Sequence, residues 1–104
     1  AALQRGFLPL LNKVGKSLEE TTGLITIEGH TDNVPIAFSE RFRTNWDLSA
    51  ARSAAVADYL LSNATITEGR VTVSGYADTK PIASNSDAVG RSRNRRIEII
   101  VDGT

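Results

Sequence analysis

Leu3, Phe7, Leu10, Leu11, Val14 and Leu18 recur at intervals of three and four residues, with Asn12, Lys13, Lys16, Glu19 and Glu20 between them. That spacing predicts an amphipathic helix. Pro9 is tolerated only in a first turn, so the helix is expected to begin near Phe7 or Leu8, and Thr22-Gly23 closes it. Leu24 to Glu28 then alternates, with Ile25 and Ile27 on one face, and reads as a strand whose end carries Gly29-His30-Thr31-Asp32-Asn33. Val34 to Thr44 is a loop with Pro35 and a mixed-charge stretch from Glu40 to Arg43. Asn45 is the expected N-cap of a second helix running to about Leu61, on which Leu48, Ala51, Arg52, Ala55, Val56 and Tyr59 form one stripe. Val71 and Val73 mark a strand ending at Gly75, Asp78 to Asn85 is a turn-rich loop, and Asp87 caps a short helix through Arg93. Ile97, Ile99 and Val101 alternate as the last strand. Strands separated by helices predict an α/β sandwich of two layers, helices packed on a small sheet.

A chain of 104 residues is about one domain, here residues 1–104, able to bury a core without disulfides or a structural metal. Its apolar runs are too short to span a membrane. It opens Ala-Ala rather than Met, so any anchor or signal is expected upstream. The 12 basic and 12 acidic residues balance, which argues against a nucleic-acid partner. The local excess at Arg91, Arg93, Arg95 and Arg96 reads as a solvated strand entry with local ion pairs, although such a cluster also suits a phosphate or carboxylate polymer. The absence of cysteine removes thiol catalysis and cysteine-based zinc clusters.

Arg52 is the most informative position, because it falls within a stripe expected to face the sheet. An unpaired buried guanidinium is costly, so Arg52 either serves a ligand or pairs with Asp32, Asp47 or Asp78. Asp32 lies just past a strand's carboxyl end, where open α/β sheets place ligands. It can accept hydrogen bonds from a ligand ammonium or cap a turn of its own backbone. His30 is the only histidine, too few for a histidine metal site, and reads as a packed, hydrogen-bonded residue. No serine stands in a nucleophile elbow and no phosphate-cradling glycine loop appears, so neither catalysis nor a cofactor is expected. Phe42 and Trp46 flank the second helix start, as a hydrophobic staple or a stacking platform for a sugar.

Taken in order, Ile27-Glu28-Gly29-His30-Thr31-Asp32-Asn33, Asn45-x-x-Leu48-Ser49-x-x-Arg52, Gly75-Tyr76-Ala77-Asp78 with Pro81, and Arg91-x-x-Asn94-Arg95-Arg96 resemble the OmpA-like C-terminal domain. Within that family, Val34-Pro35-Ile36 and Asn45-Trp46-Asp47-Leu48-Ser49 are most similar to the flagellar stator B subunits. The resemblance implies a βαβαβ sandwich on a mixed sheet that binds peptidoglycan without cleaving it. It also implies that Asp32 takes the ammonium of a diaminopimelate stem and Arg52 its carboxylate, with Thr31, Asn45 and Asn94 as further donors or acceptors. Metals and cofactors are not implied. The parent protein would be a periplasmic homodimer held in the inner membrane, partnered with the stator A subunit through a transmembrane part. The alternatives are a wall anchor in an outer-membrane or other envelope protein, and a structural oligomerisation domain whose Asp32 and Arg52 pair with each other. Two departures stand out. The family's opening strand is not present, so three strands are expected rather than four. Ser53 replaces a common alanine, a change expected to leave the site untouched.

Overall fold

The computed structural model describes residues 3–36 and 41–102. Glu40 and the middle of the long loop lie outside the described residues. A 3₁₀ turn at Arg5–Phe7 leads into helix α1, Leu8–Glu19, with Pro9 in its first turn as expected. Gly23, at φ 93°, makes the turn into strand β1, Leu24–His30; a side chain there would be strained. Helix α2 spans Asn45–Asn63 and strand β2 Val71–Gly75. Helix α3, Ala88–Asn94, is capped by Asp87, whose side chain accepts the Gly90 N–H at 2.7 Å, and strand β3 spans Arg96–Asp102.

The sheet has the order β2-β1-β3. The β1-α2-β2 crossover makes β1 and β2 parallel, whereas β3 returns antiparallel to β1 on its other side. The sheet is therefore mixed and three-stranded, with β1 in the centre. Leu11, Leu18, Ile25, Ile27, Val56, Ala57 and Leu60 form the buried core where α1 and α2 meet the sheet. Burying each Leu or Ile contributes roughly 1.5–3 kcal/mol.

Two details depart from the sequence expectation. The cap of α2 is Thr44, whose hydroxyl accepts the Asp47 N–H at 3.4 Å, and Asn45 is the first helical residue. The buried face of α2 is also rotated, to Ser49, Ser53, Val56, Ala57 and Leu60. The cause lies in the sheet. A methyl on Gly29 would overlap the Ser49 carbonyl, and one on Gly75 would sit 2.5 Å from the Ala50 nitrogen. The helix backbone rests so close to these strands that only hydroxyl-sized side chains fit between. The serines are satisfied there: Ser53 donates to the Ser74 carbonyl at 2.8 Å and Ser49 accepts the Ala77 N–H at 3.1 Å. The Ser53 hydroxyl thus ties α2 to β2, a bond that an alanine would lack. Arg52 is displaced from the sheet-facing line to the flank of the helix, half-buried.

Candidate functional site

The backbone just beyond β1 is held on both sides. Tyr76 N–H donates to the Gly29 carbonyl at 3.0 Å and Thr31 N–H to the Ala77 carbonyl at 2.8 Å, extending the β1–β2 contact past the ladder. The Asp32 carbonyl accepts the Thr31 hydroxyl at 2.8 Å and the Asn45 amide at 3.4 Å; the same amide donates to the Val34 carbonyl at 3.0 Å. Thr31 and Asn45 thus fix the loop on which Asp32 stands.

The Asp32 carboxylate is divided between two tasks. One oxygen accepts the Val34 N–H at 3.0 Å, the turn-capping role open to it from sequence, and the other accepts Nη1 of Arg95 at 2.7 Å. Arg52 is not its partner. Among the described residues no carboxylate or carbonyl engages the Arg52 guanidinium, so the expected alternatives of Asp32, Asp47 or Asp78 as structural partners are all corrected. Arg52 instead borders a cleft of about 570 Å³, with Phe7, Leu10 and Ile97 on its apolar side and Arg95 and Arg96 beside it. A smaller depression of about 290 Å³ lies between Asn33, Pro35, Asn45, Trp46 and Asp78. Trp46, 54% exposed, borders it.

The arginines around the cleft are held very differently. Arg96 donates to Glu98, to the Asn94 carbonyl at 3.2 Å and to the Lys80 carbonyl at 2.9 Å, so each of its three nitrogens is engaged. Its hydrogen bond holds the Glu98 carboxyl below its ordinary value, against the opposing effect of burial. Arg95 makes one bond and is 46% exposed at the side chain. Arg52 makes none among the described residues.

Asn94 does not face this cleft. It is fully buried, its oxygen accepts the N–H groups of Ile82 and Ala83, and its amide donates to the Ala83 carbonyl and the Asn85 side chain. Every hydrogen-bonding direction of its side chain is spent on the loop before α3, so a direct ligand contact, as expected from sequence, does not fit. His30 is packed as expected, 2% exposed and stacked on Tyr76 at 5.3 Å, with Nε2 3.3 Å from Glu28. Glu28, His30 and Glu98 converge with their ligand-type atoms within 4.8 Å of one another, and Arg96 supplies the cation bonded to that group.

Arg95 was noted from sequence only as one of the arginine cluster and not as a partner of Asp32. The signal was the strand register. His30 pairs with Arg96, and continuing the antiparallel register one step brings Arg95 opposite Thr31, beside Asp32.

With this geometry in place, comparison with known proteins is decisive: the OmpA family model matches residues 8–95. The chain belongs to the OmpA family. Among OmpA-type relatives it is 44% identical to Motility protein B of Bacillus subtilis over 74% of this chain and 29% of that protein. It is 40% identical to the peptidoglycan-binding protein ArfA of Mycobacterium tuberculosis over 89% of this chain and 27% of that one. The chain therefore spans less than a third of the length of these relatives. The cell wall anchor of the type VI secretion system (T6SS) from Pseudomonas aeruginosa superposes with a TM-score of 0.89 at 44% identity, covering 97% of this chain and 69% of that one. The mixed α/β fold described above is that of the OmpA-like domain.

Proposed function

We propose that this domain binds peptidoglycan without cleaving it, gripping the free zwitterionic end of a diaminopimelate stem. The observation that carries the reading is the half-buried Arg52 guanidinium, without a partner among the described residues, in a cleft whose neighbouring arginine holds Asp32. An ammonium wants the carboxylate of Asp32, and a carboxylate wants a fork-shaped cation at a fixed separation from it. Thr31 and Asn45 position the loop, and Asn94 supports the neighbouring one. The names of ArfA, a peptidoglycan-binding protein, and of a cell wall anchor support the ligand class.

The parent is proposed to be a flagellar stator B subunit. It would act as a homodimer in the inner membrane, with this domain in the periplasm and a stator A subunit at its transmembrane part. Similarity to Motility protein B supports this. A second reading, a wall anchor in another envelope machine, is favoured by the match to the secretion-system anchor along almost the whole chain. A transmembrane helix with an acidic residue upstream would mark the stator.

The test is co-sedimentation with diaminopimelate-type peptidoglycan, with the supernatant assayed for released sugar and peptide. Binding without release is expected. Arg52→Lys should weaken binding at least about tenfold while costing under about 1 kcal/mol of stability, since no structural partner is lost. Lysine-type stems, lacking the second carboxylate, should bind more weakly by about 1.5–3 kcal/mol. Equal affinity for the two stem types would remove Arg52 as the carboxylate reader.

A further inference from the structure

We infer that Arg95 is a partner-exchanging residue: it neutralises Asp32 in the empty domain and turns to a second ligand carboxylate when an ammonium takes its place. The inference rests on the wall-ligand reading above and goes beyond it. It assigns the ligand a second anionic group, separate from the one that Arg52 takes.

The Asp32 oxygen that an ammonium would approach is the one already bonded to Nη1 of Arg95, because its other oxygen caps Val34 N–H. Asp32 is only 8% exposed, so its charge needs a partner at all times. Arg95 meets that need in the empty domain with a single contact. Its side chain is 46% exposed, and its remaining N–H groups have no acceptor among the described residues. Arg96, next along the chain and bordering the same cleft, shows the contrast. It is anchored to a carboxylate and two backbone carbonyls and is 15% exposed. One arginine is built in; the other is only leaning on Asp32.

An ammonium arriving at Asp32 would place two cations on one carboxylate. At contact distance their repulsion is substantial in a partly buried site. Arg95 is relieved if the ligand brings an anion within its reach, and Arg95 already lines the cleft that Arg52 lines. The cleft walls carry Arg52, Arg95 and Arg96. Among the described residues, Asp32 and Glu98 offset Arg95 and Arg96 only, so the cleft is short of negative charge. A ligand with one ammonium and two carboxylates restores the balance.

The experiment uses meso-diaminopimelate acetylated on one amine, with the carboxyl beside that amide either free or converted to a primary amide. Both probes keep the zwitterionic end, and only the first carries a second carboxylate. Calorimetric titration of the wild-type domain should favour the free acid by about tenfold, the worth of one charge-assisted bond. Arg95→Gln should abolish that preference, bringing the affinities for the free acid and the amide within about twofold of each other. Arg95→Lys, which keeps the charge, should retain part of the preference, and melting curves of both variants check that they fold. An unchanged acid-to-amide ratio in Arg95→Gln, or equal weakening of both probes, would overturn the exchange and leave Arg95 as a support for Asp32. Failure of the wild-type domain to bind either probe would overturn the underlying wall-ligand reading and the exchange with it.

Discussion

The seam under α2 and the cleft beside β3 are built on opposite plans, although Arg52 belongs to one helix that serves both. In the seam, Gly29 and Gly75 let the backbone of α2 rest on the sheet, and Ser49 and Ser53 fill what is left with hydroxyls bonded across it. There is no room for a methyl. In the cleft, half-buried Ile97 faces Phe7 and Leu10 across open space, and fastening falls to guanidinium groups. Tight packing on one flank of a helix can thus fix the direction of a side chain on the other. Arg52 is oriented without a bond to any described residue because the seam, and not a counter-ion among them, sets the rotation of α2.

The largest effect expected from this contrast is that of Gly75→Ala. Its methyl would meet the backbone of Ala50 at 2.5–2.8 Å, and neither strand nor helix can yield without moving the other. A loss of about 3 kcal/mol or more is expected in denaturant unfolding, with binding weakened because Arg52 moves with the helix. A neutral result would show that the seam is looser than its geometry. Ser53→Ala sharpens the same point with a smaller change. It removes the bond to the Ser74 carbonyl, and a loss of about 1 kcal/mol is expected by thermal melting. Retention of full stability would mean that the common alanine is equivalent here.

The smallest effect belongs to the cleft side. Glu98 titrates below its ordinary value in the folded state because Arg96 hydrogen-bonds it. Its contribution is therefore complete above the unfolded value and is lost as pH falls through the lowered folded one. The Glu98 side chain is 41% exposed, so solvent screening keeps the contribution small. Melting temperature should decline gently below about pH 4.5, and less so in Arg96→Gln. An identical decline in both proteins would remove the pair from the account.

Periodicity made most of the fold legible. Ile25 and Ile27, Leu11 and Leu18, and the alternating Ile97 and Ile99 each announce a face through local pattern. The face of α2 was not legible in that way. Leu48 and Ala51 look like core positions, and two serines do not. What reverses them is the closeness of glycines on two strands that are remote in sequence. Asp32 and Arg52 were legible as a pair of unusual charges and as matches to a family motif. Their true relation was not, since it depends on the β1–β3 register that delivers Arg95. Thr44 rather than Asn45 caps α2, a shift of one residue that frees the Asn45 amide to hold the loop of Asp32.

The central place of β1 has a mechanical consequence. Tension applied at Asp32 passes directly into β1, which is laddered to β2 over Ile25–Gly29 and to β3 over Leu24–His30. Pulled along its axis, β1 loads both rows of backbone hydrogen bonds in shear, so that many bonds must give together. An edge strand pulled in the same way would load only one such row.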